Sequence, residues 1–97
     1  MQEEYKVIEG FENYSVSNFG YVRNNKNGRL VKLNHINDYS IVNLSMNGKR
    51  YNKRVRFLVA EAFILNPNQY THIDNINNDR GNNNISNLRW ITYKKIN

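Results

Sequence analysis

Apolar and polar residues alternate at a period of two through most of the first half of the chain, the spacing of half-buried strands. Tyr14-Ser15-Val16-Ser17 reads as a short strand and Asn18-Phe19-Gly20 as a turn. Tyr21-Val22-Arg23 leads into Asn24-Asn25-Lys26-Asn27-Gly28, whose closing Asn-Gly is a strong hairpin signal; Arg29-Leu30-Val31-Lys32-Leu33 is expected to return as the partner strand. A second hairpin is expected from Tyr39 to Met46 and Lys49 to Arg54, turning at Asn47-Gly48. Hairpins in this succession imply small antiparallel sheets, each with a face left for contact. At Val55 the period changes. Val55, Leu58, Val59, Ala62 and Phe63 recur at helical spacing, with Glu61 on the polar side, and predict a helix to Ile64 ended by Asn66-Pro67. Beyond Pro67 the pattern gives a strand from Tyr70 to Ile73, a loop of about 14 residues, a strand from Leu88 to Thr92 and a helix beginning at Tyr93. A loop that long is more often functional or mobile than a plain connection. The fold class is α+β.

At 97 residues the chain makes one small domain, or two intimate subdomains meeting near Pro67. It contains no cysteine, which excludes a disulfide framework and a thiolate zinc site. No apolar run reaches the roughly 18 residues of a membrane span, and Met1-Gln2-Glu3-Glu4 does not open a signal peptide. These features read as a soluble, intracellular chain that is not secreted and has no membrane partner; a monomer is expected.

Charge adds a partner. The net charge is +6 and the basic residues cluster: Arg23, Lys26, Arg29 and Lys32 in one group, Lys49, Arg50, Lys53, Arg54 and Arg56 in another. Clustering with interleaved tyrosines favours phosphate binding over the plainer reading, a solvated basic face that aids solubility. Asparagine makes up about a fifth of the residues, which reads mainly as nucleotide bias in an AT-rich genome such as that of a virus or phage.

Three segments carry a family resemblance. The stretch from Ile8 to Arg23, Ile-Glu-Gly-Phe-Glu-Asn-Tyr-Ser-Val-Ser-Asn-Phe-Gly-Tyr-Val-Arg, resembles the nuclease-associated modular domain that opens many phage HNH homing endonucleases. Val55 to Asn68 resembles their linking helix. Tyr70-Thr71-His72-Ile73-Asp74, followed by Asn83-Asn84-Ile85-Ser86-Asn87-Leu88-Arg89-Trp90, is similar to the His-Asn-Asn form of the HNH motif. The resemblance implies a modular DNA-binding region over 1–54, and a linking helix with a ββα-metal unit over 55–97. It further implies a metal-dependent endonuclease that nicks or cuts double-stranded DNA.

Within that motif His72 matches the general base, a role suited to imidazole because its ordinary pKa lies near neutrality. Asn87 matches the amide that braces the loop, and Asn97 is the nearest candidate for the last metal ligand. Mg²⁺ or Mn²⁺ is implied, since the available donors are hard oxygens. Thr71 stands where the family carries Asp or Asn as a metal ligand, and a neutral hydroxyl is a poor substitute. The family's last Asn falls one residue nearer the Trp, where this chain has Ile96. Position 56 is Arg where relatives often carry His, which favours phosphate contact. Arg89 joins the DNA-binding candidates. Asp74 is a secondary ligand candidate that reads more simply as an Asx turn after a strand. His35 reads as an incidental loop residue, and Trp90 as a core anchor. The alternatives to an enzyme are a catalytically degenerate DNA-binding protein and an inhibitor of another nucleic-acid enzyme.

Overall fold

Strands β1 (Tyr5–Ile8), β2 (Phe11–Ser17) and β3 (Val22–Asn24) pair in sequence order as one antiparallel sheet. Strands β4 (Asn34–Ile36), β5 (Tyr39–Met46) and β6 (Lys49–Arg54) form a second, and β7 (His72–Asn75) with β8 (Leu88–Ile91) a third. The α-helix α1 (Val55–Phe63) follows β6 without a connecting loop and packs against strands of all three sheets. This is an α+β arrangement. The computed structural model describes residues 1–92. The helix expected from Tyr93, with Ile96 and Asn97, lies outside the described residues.

The core forms where the two periodicities meet. Val16 and Val22 from the first sheet, Val42 and Leu44 from the second, and Ile73 and Leu88 from the third converge on Val55, Leu58 and Val59 of α1. β-branched residues dominate the strand contributions, as suits a pleated surface packed on one face. Trp90 packs at the edge of this cluster, edge-on to Phe57, and donates its indole N–H to the Ile64 carbonyl at 3.1 Å. It is the core anchor its flanks implied.

Several boundaries differ from the sequence reading, each for a local reason. β1 was not anticipated; it is a short edge strand whose pairing ends in an irregularity between Val7 and Ile8. The expected strand from Arg29 to Leu33 contracts to a bridge between Arg23 and Leu30; Val31 and Leu33 pack against the core, while Leu30 stays exposed. Pairing resumes at β4, so His35 lies on a strand rather than in a loop. The turn from β4 to β5 is Asn37-Asp38, both at positive φ like Asn47-Gly48, which supplies the tight hairpin geometry without glycine. The strand expected from Tyr70 starts at His72 instead. The Asn66 side chain takes both backbone groups of Tyr70, accepting from its N–H at 2.9 Å and donating to its carbonyl at 2.8 Å, in place of a strand partner.

The first sheet is fastened to the long loop between β7 and β8. In the β2–β3 turn, the Asn18 carbonyl accepts from the Ile85 N–H at 2.9 Å. Gly20 has φ of +95°, and a Cβ there would stand 3.1 Å from Asn83 Cβ and 3.2 Å from its carbonyl oxygen. Gly20→Ala is therefore expected to destabilise the fold by about 1–2 kcal/mol from the positive φ, with further loss from crowding. Thermal melting checks this: an unchanged midpoint would mean that the turn relaxes away from the loop at no cost.

Candidate functional site

β7 begins on the wall of a cleft of about 680 Å³ lined by His72, Asp74 and Asn75, by Tyr39 of β5 and Asp38 of the turn before it, and by Arg54, Arg56 and Arg80. His72 is the first residue of the strand and is exposed. The two-residue strand period puts Asp74 on the same face as His72.

Asp74 sits inside β7 opposite Arg89 of β8, so the Asx-turn reading does not hold. Its carboxylate is buried, and Arg89 reaches it from the exposed side with Nη2 at 2.8 Å and Nε at 3.0 Å. Among the described residues, both of these charge contacts fall on Oδ2. Nearby, Asn75 Oδ1 is buried with no hydrogen-bond partner among the described residues. Oxygen donors without a thiol suit a hard divalent ion. Among the described residues, no three His, Cys, Asp or Glu side chains converge to hold one by themselves. Thr71 is exposed immediately before the strand, and Asn97 lies outside the described residues.

The loop from Ile76 to Ser86 is closed by side-chain amides. Asn87 Oδ1 accepts from the Asn77 N–H at 3.0 Å, and its Nδ2 donates to the Asn82 carbonyl at 3.0 Å. Asn75 Nδ2 donates to that same carbonyl at 3.0 Å, and the Asn87 carbonyl accepts from the Ile76 N–H at 2.8 Å. Along the loop, the side chains of Asn77, Asp79, Asn82 and Asn84 each accept from the backbone N–H two residues on. Asn24 and Asn27 do the same in the β3 hairpin. Whatever biased the composition towards asparagine, these residues turn the chain by satisfying backbone donors that no strand pairs.

The basic residues divide differently in space than along the chain. Lys26, Arg29, Lys32, Lys49 and Arg50 are exposed. Arg23 stacks over Tyr5 at 4.1 Å, and Lys53 lies over Phe11 at 5.1 Å. Arg54 and Arg56 leave this group and enter the cleft. Burial lowers the pKa of the half-buried Arg56 guanidinium; Tyr39 acts against that shift, and Arg54 and Arg80 act with it. Sequence reasoning passed over Arg80 and Tyr39. Arg80 is isolated in a loop, so no run of charge marked it, and Tyr39 registered only as the start of a strand.

Comparison with known proteins gives consistent relatives. The NUMOD4 motif matches residues 3–45. Over 94 residues the chain is 38% identical to an uncharacterized HNH endonuclease of Acanthamoeba polyphaga mimivirus, covering 97% of this chain and 28% of that protein. It is 36% identical over 93 residues to DNA endonuclease I-HmuI of Bacillus phage SP01, covering 94% of this chain and 53% of that protein. A solved structure of DNA binding and cleavage by the HNH homing endonuclease I-HmuI matches with a TM-score of 0.84 at 35% identity, over 92% of this chain and 52% of that one. The chain thus spans only part of each relative's length.

Proposed function

Because the chain belongs to the phage-type HNH homing endonuclease family, we propose that it is a metal-dependent endonuclease that nicks or cuts double-stranded DNA inside the cell. The observation that carries this reading is the position of His72, which opens β7 on the wall of a cleft bearing Arg54, Arg56 and Arg80. Residues 1–54 would hold the DNA through Arg23, Lys26, Arg29, Lys32, Lys49, Arg50 and Lys53. Residues 55–97 would perform the chemistry, with β7, β8 and the helix expected from Tyr93 as a ββα-metal unit.

A phosphodiester seated in the cleft meets positive charge on one side and the imidazole on the other. His72 accepts a proton from a water molecule as that water's oxygen bonds to phosphorus; the opposite P–O bond breaks, and the departing oxygen takes a proton from solvent. Asn87 keeps the loop closed so that the cleft wall holds its shape. Arg89 fixes the Asp74 carboxylate against the strand. When bound, Mg²⁺ or Mn²⁺ would supply charge neutralisation to the phosphate. Asp74 would hold it through its carboxylate, and Thr71 and Asn97 are the further candidates.

Supercoiled plasmid tests the reading. Nicking is expected with Mg²⁺ or Mn²⁺, loss on adding EDTA, and recovery when the ion is returned in excess. DNA affinity is expected to fall by about a thousandfold between 50 and 200 mM salt if six or more phosphates are contacted. The second reading, a DNA-binding protein without turnover, is favoured by Thr71, an exposed hydroxyl at a position where a metal needs a stronger oxygen donor. Steep salt-dependent binding with no nicking above the EDTA control would select it.

A further inference from the structure

Three guanidinium groups converge on one tyrosine ring. The Cζ atoms of Arg56, Arg54 and Arg80 lie 4.1, 4.8 and 4.9 Å from the Tyr39 centroid. They arrive from different parts of the chain: Arg54 is the last residue of β6, Arg56 lies in the first turn of α1, and Arg80 is on the asparagine-closed loop. By geometry no two can be more than about 10 Å apart, comparable to a Debye length, so their repulsion is not screened away. Among the described residues none of the three forms an ion pair. The carboxylate of Asp38 lines the same cleft but stays outside ion-pair distance. Arg80 has one long hydrogen bond, Nη1 to the Asn37 carbonyl at 3.4 Å, and the Arg56 Nε–H is buried without an acceptor.

The same corner departs from ordinary helix chemistry. The positive end of a helix dipole favours acidic residues and a Ser, Thr, Asp or Asn cap. Here the N-cap is Arg54, its side chain caps nothing, and the first turn contains no acidic residue. Cation–π contact with Tyr39 offsets part of the repulsion and orients the guanidinium planes, but it leaves their N–H groups undersupplied with acceptors. Several local rules broken at one place, beside a candidate reacting group, mark a site that an anion completes.

We propose that Arg54, Arg56 and Arg80, arrayed around Tyr39, clamp a single phosphate group of the nucleic acid at the reaction centre, with Arg80 meeting the charge that builds on its oxygens as hydrolysis proceeds. This rests on the nuclease reading and adds to it. The arginines facing the cleft differ in role from the exposed basic residues of the sheets, which follow the backbone. A planar guanidinium meets two phosphate oxygens at once, a geometry lysine lacks. Arg80 is exposed and lies on the asparagine-closed loop, so its removal tests the clamp without disturbing the core.

Two measurements test the clamp, one independent of cleavage. Inorganic phosphate titrated into the ¹⁵N-labelled protein at constant ionic strength is expected to shift the Arg56 Nε–H resonance saturably, and Arg80→Ala to weaken that response at least tenfold. On plasmid, Arg80→Ala is expected to slow single-turnover nicking about a hundredfold at saturating DNA while changing DNA affinity less than threefold, with Arg80→Lys recovering little. Lys26→Ala serves as the contrast for backbone contact: weaker affinity and a salt slope shallower by about one. An Arg80→Ala variant that loses affinity but not rate at saturating DNA overturns the clamp, as does a phosphate titration that leaves Arg56 unmoved. If the wild type nicks nothing yet binds phosphate in an Arg80-dependent way, the nuclease reading falls and the phosphate site stands. Nicking at the wild-type rate by Arg80→Ala, with no phosphate response, leaves the nuclease and removes the clamp.

Discussion

His72→Ala is expected to lower the metal-dependent nicking rate about a thousandfold while leaving the melting temperature unchanged. The size follows from the role: a positioned general base contributes roughly 10²- to 10⁴-fold to proton transfer from the attacking water. The unchanged stability follows from the placement. His72 is exposed, lies outside the apolar cluster, and enters the sheet through its backbone opposite Ile91. Truncating such a side chain usually changes stability by less than about 0.5 kcal/mol. The combination separates chemistry from folding, because a contaminating nuclease would nick equally in both preparations. A variant keeping more than a tenth of the wild-type rate would remove His72 from the base position and leave the cleft without an assigned proton acceptor.

Asn87→Ala is expected to lower the melting temperature by about 10 °C and to slow nicking about a hundredfold at temperatures where the variant is still folded. Asn87 is buried, and its amide joins two points of the loop that the backbone leaves unpaired, the Asn77 N–H and the Asn82 carbonyl. Alanine removes both bonds and strands the Asn77 donor, at a cost of about 2 kcal/mol. The carbonyl at Asn82 keeps Asn75 as a partner, so the loop loosens rather than unfolds. The rate effect arises because that loop forms a wall of the cleft and bears Arg80; displacement of about 1 Å at a reacting centre can cost a hundredfold. Asn87→Asp retains the acceptor and loses the donor, and an intermediate loss is expected of it. If the melting point falls and the rate at saturating DNA does not, the loop is scaffolding and the cleft geometry is set elsewhere.

Much of the strand and helix content was legible because it depends on short-range periodicity. The change of period at Val55 and the Asn-Gly pair at 47–48 each announced an element that the structure contains. What stayed hidden depended on contacts between distant segments. Asn66 intercepting Tyr70 moved the start of β7 by two residues, and no local rule anticipates a side chain standing in for a strand. Asp74 read as a turn because its partner, Arg89, lies fifteen residues away across the loop. The candidate site was half visible in the same sense. His72 and Asn87 stood out through the motif they resemble, whereas the arginine cluster needs the fold to bring residues 39, 54, 56 and 80 together. A run of basic residues in sequence suggested one surface; the strand and helix geometry sends Lys53 and Arg54 to different aromatic rings.

The fastening between the β2–β3 turn and the long loop bears on how such proteins recombine. The NUMOD4 stretch ends at residue 45, yet Asn18 and Gly20 within it meet Ile85 and Asn83 far beyond it. A foreign copy of this stretch grafted onto the remaining residues would arrive with its turn facing a loop selected against a different partner. Shuffling that preserves the cleft must exchange both faces of the contact together. The heritable cassette is then larger than the motif that identifies it.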